Sequence, residues 1–185
     1  MKGIDTNLLV YAHREDSPWH ELASRCVAQL AQSPAPWAIA WPCLHEFLAI
    51  VTHPRIYSPP TPLDAALEQV EAWLESPSLV LLAESAGYWP ELRALLAAGR
   101  IVGPRVHDAR VAALCRLHGV SEIWSADRDF TRFAGLVVRN PLVEGRRQDA
   151  SEHLSLLSPT PVQPPVPGRR GCRPCGGGPS EKRWR

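Results

Sequence analysis

No apolar run in this chain is long enough to cross a bilayer: the longest, such as residues 79–83, fall far short of the roughly 20 residues a spanning helix needs. No leader is expected either. Met1-Lys2-Gly3 passes straight into Ile4-Asp5 rather than into a signal peptide, so a cytoplasmic location without a membrane partner is expected. Cysteine is sparse and scattered: Cys26, Cys43 and Cys115 lie among Ala and Leu in helical stretches, where a reduced thiol behaves as a small hydrophobe, and no disulfide framework is suggested. Cys172 and Cys175 have zinc-ligand spacing but lack the second pair that a tetrahedral site requires. No histidine pair recurs at metal-ligand spacing, and no internal repeat is visible. A net charge of one sign is also absent. The formal +1 hides a split, because residues 145–185 carry eight Lys/Arg against three Asp/Glu while residues 1–144 carry twelve against sixteen. The charge total of the body therefore gives no nucleic-acid signal.

What is present suits one core: 185 residues at 45% hydrophobic content make a domain of ordinary size. Residues 2–4 read as a short strand, and Thr6-Asn7-Leu8-Leu9 opens a helix. Ser17-Pro18 looks like an N-cap and first helical proline, followed by Leu22, Cys26, Val27 and Leu30 at helical spacing. Trp37-Ala38-Ile39-Ala40 is the second strand, and Pro42 starts a helix that His53-Pro54 ends. Thr61-Pro62 repeats the cap signature before a helix whose apolar face is Leu63, Leu67, Val70 and Leu74. Residues 79–82 form a strand, 88–98 a helix stopped by Gly99, and 106–118 a helix stopped by Gly119. Strands at 123–125 and 136–138 complete the set. Short apolar strands separated by helices predict an α/β domain with a mainly parallel sheet covered on both faces. After residue 143 the character changes: seven Pro and six Gly in residues 145–185 mark 144–185 as a basic tail expected to be disordered.

Five carboxylates sit in or beside this apolar framework: Asp5, Glu46, Asp108, Asp127 and Asp129. Asp5 and Asp127 follow predicted strands, where parallel sheets bind ligands, and Glu46 and Asp108 lie early in helices. Converging carboxylates need a hard cation to hold them together, which points to Mg2+, with Mn2+ as the alternative, and to metal-dependent phosphate chemistry. Each residue also has an ordinary reading. Asp5 or Asp108 could cap or complement a helix, Glu46 could sit on an exposed face, and Asp127 and Asp129 could be turn residues. The conjunction favours the metal site.

Four blocks then resemble a PIN domain: Ile4-Asp5-Thr6-Asn7-Leu8-Leu9-Val10-Tyr11-Ala12, the run from Glu46-Phe47-Leu48 to His53-Pro54-Arg55, Val106-His107-Asp108-Ala109-Arg110-Val111 and Ser125-Ala126-Asp127-Arg128-Asp129-Phe130. More narrowly they look like the VapC ribonuclease toxins, and Phe130-Thr131-Arg132-Phe133 with Asn140-Pro141-Leu142 resembles an actinobacterial and mycobacterial branch. The resemblance covers residues 1–143. It implies a three-layer α/β/α nuclease domain, a Mg2+- or Mn2+-dependent endoribonuclease, a homodimer and a cognate antitoxin. By position, Asp5 and Asp108 match the principal metal ligands, Glu46 and Asp127 ligands direct or through water, and Asp129 a further, less secure acidic position. Asn7 and Ser125 match polar positions beside the site. Pro104-Arg105 departs from the small polar or apolar residue usual there, and the tail matches nothing.

Two other enzyme and binding classes remain as alternatives. A catalytically inactive PIN domain would be an RNA- or protein-binding module, although it would be expected to have lost several of these carboxylates. A phosphatase of the haloacid dehalogenase type needs a second Asp two residues after its nucleophile, and that position is Asn7. The stretch from Arg100 to Arg139 is locally basic, and Arg110 and Arg128 are its best candidates for RNA phosphate contacts. Trp37, Trp41, Trp73, Trp89 and Trp124 read as core or interface anchors, with base stacking a minor option, and His107 as a helix-face residue.

Overall fold

The computed structural model describes residues 1–143; the tail over 144–185, with Cys172 and Cys175, lies outside the described residues. The chain runs β1 (Lys2–Ile4), α1 (Thr6–His13), α2 (His20–Gln32), β2 (Trp37–Ala40), α3 (Trp41–Val51), α4 (Leu63–Leu74), β3 (Leu79–Leu82), α5 (Tyr88–Gly99), α6 (Val106–Leu117), β4 (Glu122–Trp124) and β5 (Val137–Arg139). Short 3-10 turns at Gly103–Arg105 and Arg128–Arg132 lead into α6 and follow β4.

All four strand pairings are parallel, in the order β3-β2-β1-β4-β5. The expected α/β/α architecture is what forms. The chain steps outward from β1 to β3 and then crosses back to β4, so the helices fall into two groups. α1 packs on α2 and α3, and α3 on α4, while α5 packs on α6; right-handed crossovers put the groups on opposite faces. β2 is buried along its whole length, as a strand covered on both sides must be. Gly3 explains how closely α6 approaches β1: a Cβ there would meet Val120 Cγ1 at 3.1 Å and Cys115 Sγ at 3.6 Å. No described helix is long and apolar enough to cross a membrane.

Several local expectations need correction. Ser17 does not cap α2; its hydroxyl accepts from the Trp19 N–H one turn earlier, and the helix begins at His20. Thr61 does not cap α4 either, because its side chain lies within reach of Arg14 and His13. Of the predicted α4 face only Val70 is buried. Ala66 and Trp73 join it, whereas Leu63, Leu67 and Leu74 are exposed. The large ring decides the rotation of the helix: Trp73 packs edge-on against Phe47, with centroids 4.8 Å apart. Gly99 belongs to α5, and Arg100 takes the left-handed position, φ 46°; a Cβ on Gly99 would meet the Ile101 side chain at 2.8 Å. β4 and β5 each sit one residue from the expected span. Trp37, Trp73 and Trp124 are core residues, but Trp41 and Trp89 are exposed.

Candidate active site

The strand order places a topological switch between β1 and β4, since the connections leaving those two adjacent strands run to opposite sides of the sheet. Ligands bind in the crevice this opens at the carboxyl ends. The register pairs Ile4 with Trp124, which sets Asp5 beside Ser125 as the first residues past the strands. The Asp5 N–H donates to the Trp124 carbonyl at 3.0 Å and the Ser125 N–H to the Arg139 carbonyl at 3.0 Å, so both are fixed by the sheet ladder.

Asp5 stands at the N-cap position of α1, yet its side chain makes no capping hydrogen bond. The carboxylate turns instead to a polar network. Its Oδ2 accepts from Asn7 Nδ2 at 2.6 Å and from Ser125 Oγ at 2.7 Å. Ser125 Oγ in turn accepts from Asn7 Nδ2 at 2.9 Å and from the Asp127 N–H at 2.9 Å, and Asn7 Oδ1 accepts from the Ala126 N–H at 3.1 Å. No side chain engages Asp5 Oδ1 among the described residues. Asp5 is buried, and that burial pushes its carboxyl up to about 7. The hydrogen bond from Ser125 and one from the Thr6 backbone pull it down, while the charges of Glu46 and Asp108 raise it further.

Glu46 projects from α3 as an exposed residue and is held by the buried Thr6, whose hydroxyl donates to Oε2 at 2.7 Å. Asp108 lies in the first turn of α6, half-buried and not itself a cap. Its carboxyl is raised by burial and by the charges of Asp127, Asp129 and Glu46, with Arg132 opposing them. Asp5, Glu46 and Asp108 line one cavity of about 310 Å³ together with Pro42, His45, His107, Arg110, Val111 and Phe130. None of these three acids forms an ion pair with Lys or Arg among the described residues.

Asp127 and Asp129 do not line that cavity, although their charges act on Asp108. Asp127 is an N-cap, accepting from the Asp129 N–H at 2.8 Å, so the turn reading describes its local geometry. Asp129 pairs with Arg132 at 2.7 Å and lies 3.8 Å from Arg105. Of the residues expected to contact substrate, Arg110 reaches the cavity but is paired with Glu84 at 2.8 Å, and Arg128 is exposed. Ser125 is 1% exposed and Asn7 is tied to Asp5, Ser125 and Ala126, so their geometry is that of residues orienting Asp5. Sequence reasoning missed Thr6, and it read Arg105 and Arg132 only as members of the basic stretch from Arg100 to Arg139. The first had a readable signal, since a hydroxyl directly after the strand-end Asp faces the same crevice. Cys43 and Cys115 are buried thiols held protonated by burial and the nearby Asp5 charge, Cys115 pushed up to about 12, so neither is a nucleophile.

The donor set suits a hard divalent cation. It is all oxygen, anionic, and contains a buried carboxylate without a counter-charge. Among the described residues no three Asp, Glu, His or Cys side chains close on a single point. Mg2+ does not require such a cluster, since it keeps several waters and takes only one or two carboxylates directly.

Comparison with known proteins agrees with the geometry. The family model described as the PIN domain matches residues 3–136. Ribonuclease VapC48 of Mycobacterium tuberculosis is 34% identical over 138 residues, which is 75% of this chain and 95% of that protein. Ribonuclease VapC43 of the same organism is 32% identical over 142 residues, 77% of this chain and 96% of its own length. Among solved structures, M. tuberculosis VapC20, a sarcin-ricin loop cleaving toxin, superposes with a TM-score of 0.55 at 17% identity, covering 71% of this chain and 93% of that one. VapBC2 of Rickettsia felis, bound to a promoter DNA fragment, gives 0.53 at 20% identity and covers 75% and 97%.

Proposed function

This chain belongs to the PIN-domain family and, within it, to the VapC ribonucleases, and on that premise we propose that it is a toxin of a toxin-antitoxin pair, a Mg2+- or Mn2+-dependent endoribonuclease. The observation that carries the chemistry is the cavity at the switch point, where Asp5, Glu46 and Asp108 face one space and none forms an ion pair with an arginine among the described residues. Asp5 and Asp108 would hold the ion, with Glu46, and Asp127 through water, completing its surroundings. A bound Mg2+ supplies an activated water and charge stabilisation on the phosphoryl oxygens. The protein's own part is orientation: Ser125 and Asn7 fix one edge of the Asp5 carboxylate, Thr6 fixes Glu46, and Phe130 and Val111 wall the cavity with apolar surface. Asp129, held by two arginines, fits a role in shaping the rim better than direct metal contact.

The direct test is incubation of the purified chain with mixed RNA. Cleavage should require Mg2+ or Mn2+, stop on chelation and return on adding metal back. RNA that is bound yet left intact in both metals would instead support a non-catalytic binding module. Because burial pushes the Asp5 carboxyl up to about 7 in the metal-free chain, metal and proton compete for it, so at sub-saturating Mg2+ cleavage should rise from pH 6 to pH 8. Ser125→Ala removes the hydrogen bond that favours the anion, so the half-maximal point of the pH profile should move upward; an unmoved midpoint would deny Ser125 that orienting role.

The remaining parts of the reading follow from family membership. A cognate antitoxin would neutralise the enzyme, and structures of related VapBC assemblies support that partner. A homodimer acting in the cytoplasm is the expected working form, checked by sedimentation of the purified chain. Arg128 is exposed beside the site and has no acidic partner among the described residues. Arg128→Ala should weaken RNA binding and reduce the salt slope by about one phosphate contact, read by anisotropy over a salt series.

A further inference from the structure

The acidic cavity has a neighbour that metal chemistry does not use. α3 begins at the carboxyl end of β2, and its first two turns present two side-chain columns at i, i+4 spacing, Trp41–His45 and Pro42–Glu46. Pro42, His45 and Glu46 line the cavity. Trp41 continues the same face outward. At 38% exposure it is a large apolar ring held in water, although β2 and the rest of α3 offered buried positions to Trp37 and Phe47. Its ring neighbours His45, centroids 5.9 Å apart and planes tilted by 33°, so the two rings form an aromatic shelf whose inner member, His45, lines the cavity.

Resting on the ribonuclease reading above, we propose that Trp41 and His45 form a stacking platform for an unpaired RNA base next to the phosphate that the acidic cavity would engage. Position argues for this occupant. The shelf is continuous with the cavity through His45, so a strand whose phosphate reaches Asp5 and Asp108 can lay an adjoining nucleotide across α3. Charge argues for it as well. Glu46 and the other acids repel phosphate on that side, so affinity there has to come from the base rather than the backbone, and an aromatic face supplies it for any base. Bases in a duplex are already stacked and cannot use the shelf.

The test compares the full-length wild type with Trp41→Ala and Trp41→Phe. The probes are a short fluorescein-labelled single-stranded RNA of mixed sequence and the same strand annealed to its complement, with anisotropy read in EDTA. Trp41→Ala should weaken single-strand binding by about ten-fold, leave duplex binding unchanged and leave the salt slope as in the wild type, while Trp41→Phe recovers most of the affinity. His45→Ala should show a smaller loss of the same kind and serves as the second probe if Trp41→Ala does not fold by circular dichroism. Equal losses on single strand and duplex, or single-strand binding within two-fold of wild type for both alanine variants, would overturn the platform. So would intact RNA binding combined with a weakened complex with the protein encoded beside it, which would make the shelf a protein contact. Failure of the wild type to cut any RNA with Mg2+ or Mn2+ would instead remove the ribonuclease reading, because the binding comparison needs no cleavage.

Discussion

Replacing Asp5 by Asn should abolish metal-dependent RNA cleavage and, in the same variant, make the metal-free fold more stable at pH 8. The loss of activity follows from removing the carboxylate that the proposed function makes a metal ligand, on a scale of roughly a thousand-fold or more in rate. The gain in stability follows from burial. The Asp5 carboxyl is pushed up to about 7 in the folded chain from an ordinary value of 3.8, so the folded state holds that proton more tightly than the unfolded one. Stability from this group is complete below the ordinary value, declines as pH rises between about 4 and 7, and stays low above that. The total is about 4 kcal/mol. Asparagine keeps the shape and an oxygen acceptor for Ser125 and Asn7 without the charge. Urea denaturation in EDTA should therefore show Asp5→Asn ahead of wild type at pH 8, with the gap narrowing towards pH 5. Adding Mg2+ at pH 8 should stabilise the wild type and leave the variant nearly unmoved. A variant less stable than wild type at pH 8, or one that still cleaves, would contradict the account of a buried carboxylate awaiting a cation.

Phe47→Ala should destabilise the domain by about 3–5 kcal/mol, a large share of the 5–15 kcal/mol available to a typical domain. Phe47 is fully buried and its ring touches Trp73 edge-on and His13 at 5.3 Å, so truncation opens a cavity where α1, α3 and α4 meet. The preceding residue should behave in the opposite way. Glu46→Gln keeps an acceptor for Thr6 on an exposed side chain, so stability should stay within about 0.5 kcal/mol while metal-dependent cleavage falls. Urea midpoints and cleavage rates measured on both variants would separate the two roles; equal stability losses would mean that Glu46 is part of the packing after all.

That contrast between adjacent residues shows where sequence reading succeeds. Strand and helix existence followed from apolar runs, prolines and glycines, and β2 and β3 fall on the expected residues. Caps were less legible, because Ser17 and Thr61 have the chemistry of N-caps but use it on a turn and on Arg14. The α4 face failed because Leu67 and Trp73 are both apolar, and helical periodicity cannot tell which apolar column faces inward when a neighbouring ring such as Phe47 selects the larger partner.

The sequence by itself determined that this is a parallel α/β domain whose acidic residues fall past strand ends and in early helical turns, because local steric preference and hydrophobic spacing are properties of neighbours along the chain. The tertiary structure decided which acids share a space. Asp5, Glu46 and Asp108 meet only because β1 lies between β2 and β4 in the sheet. The same folding step brought Arg105 to 3.8 Å from Asp129. It also set Ser125 against Asp5, 120 positions away, and left Trp41 in water at the cavity's edge. Those outcomes depend on distances between residues remote in sequence, which only the packed sheet and its two helical layers define.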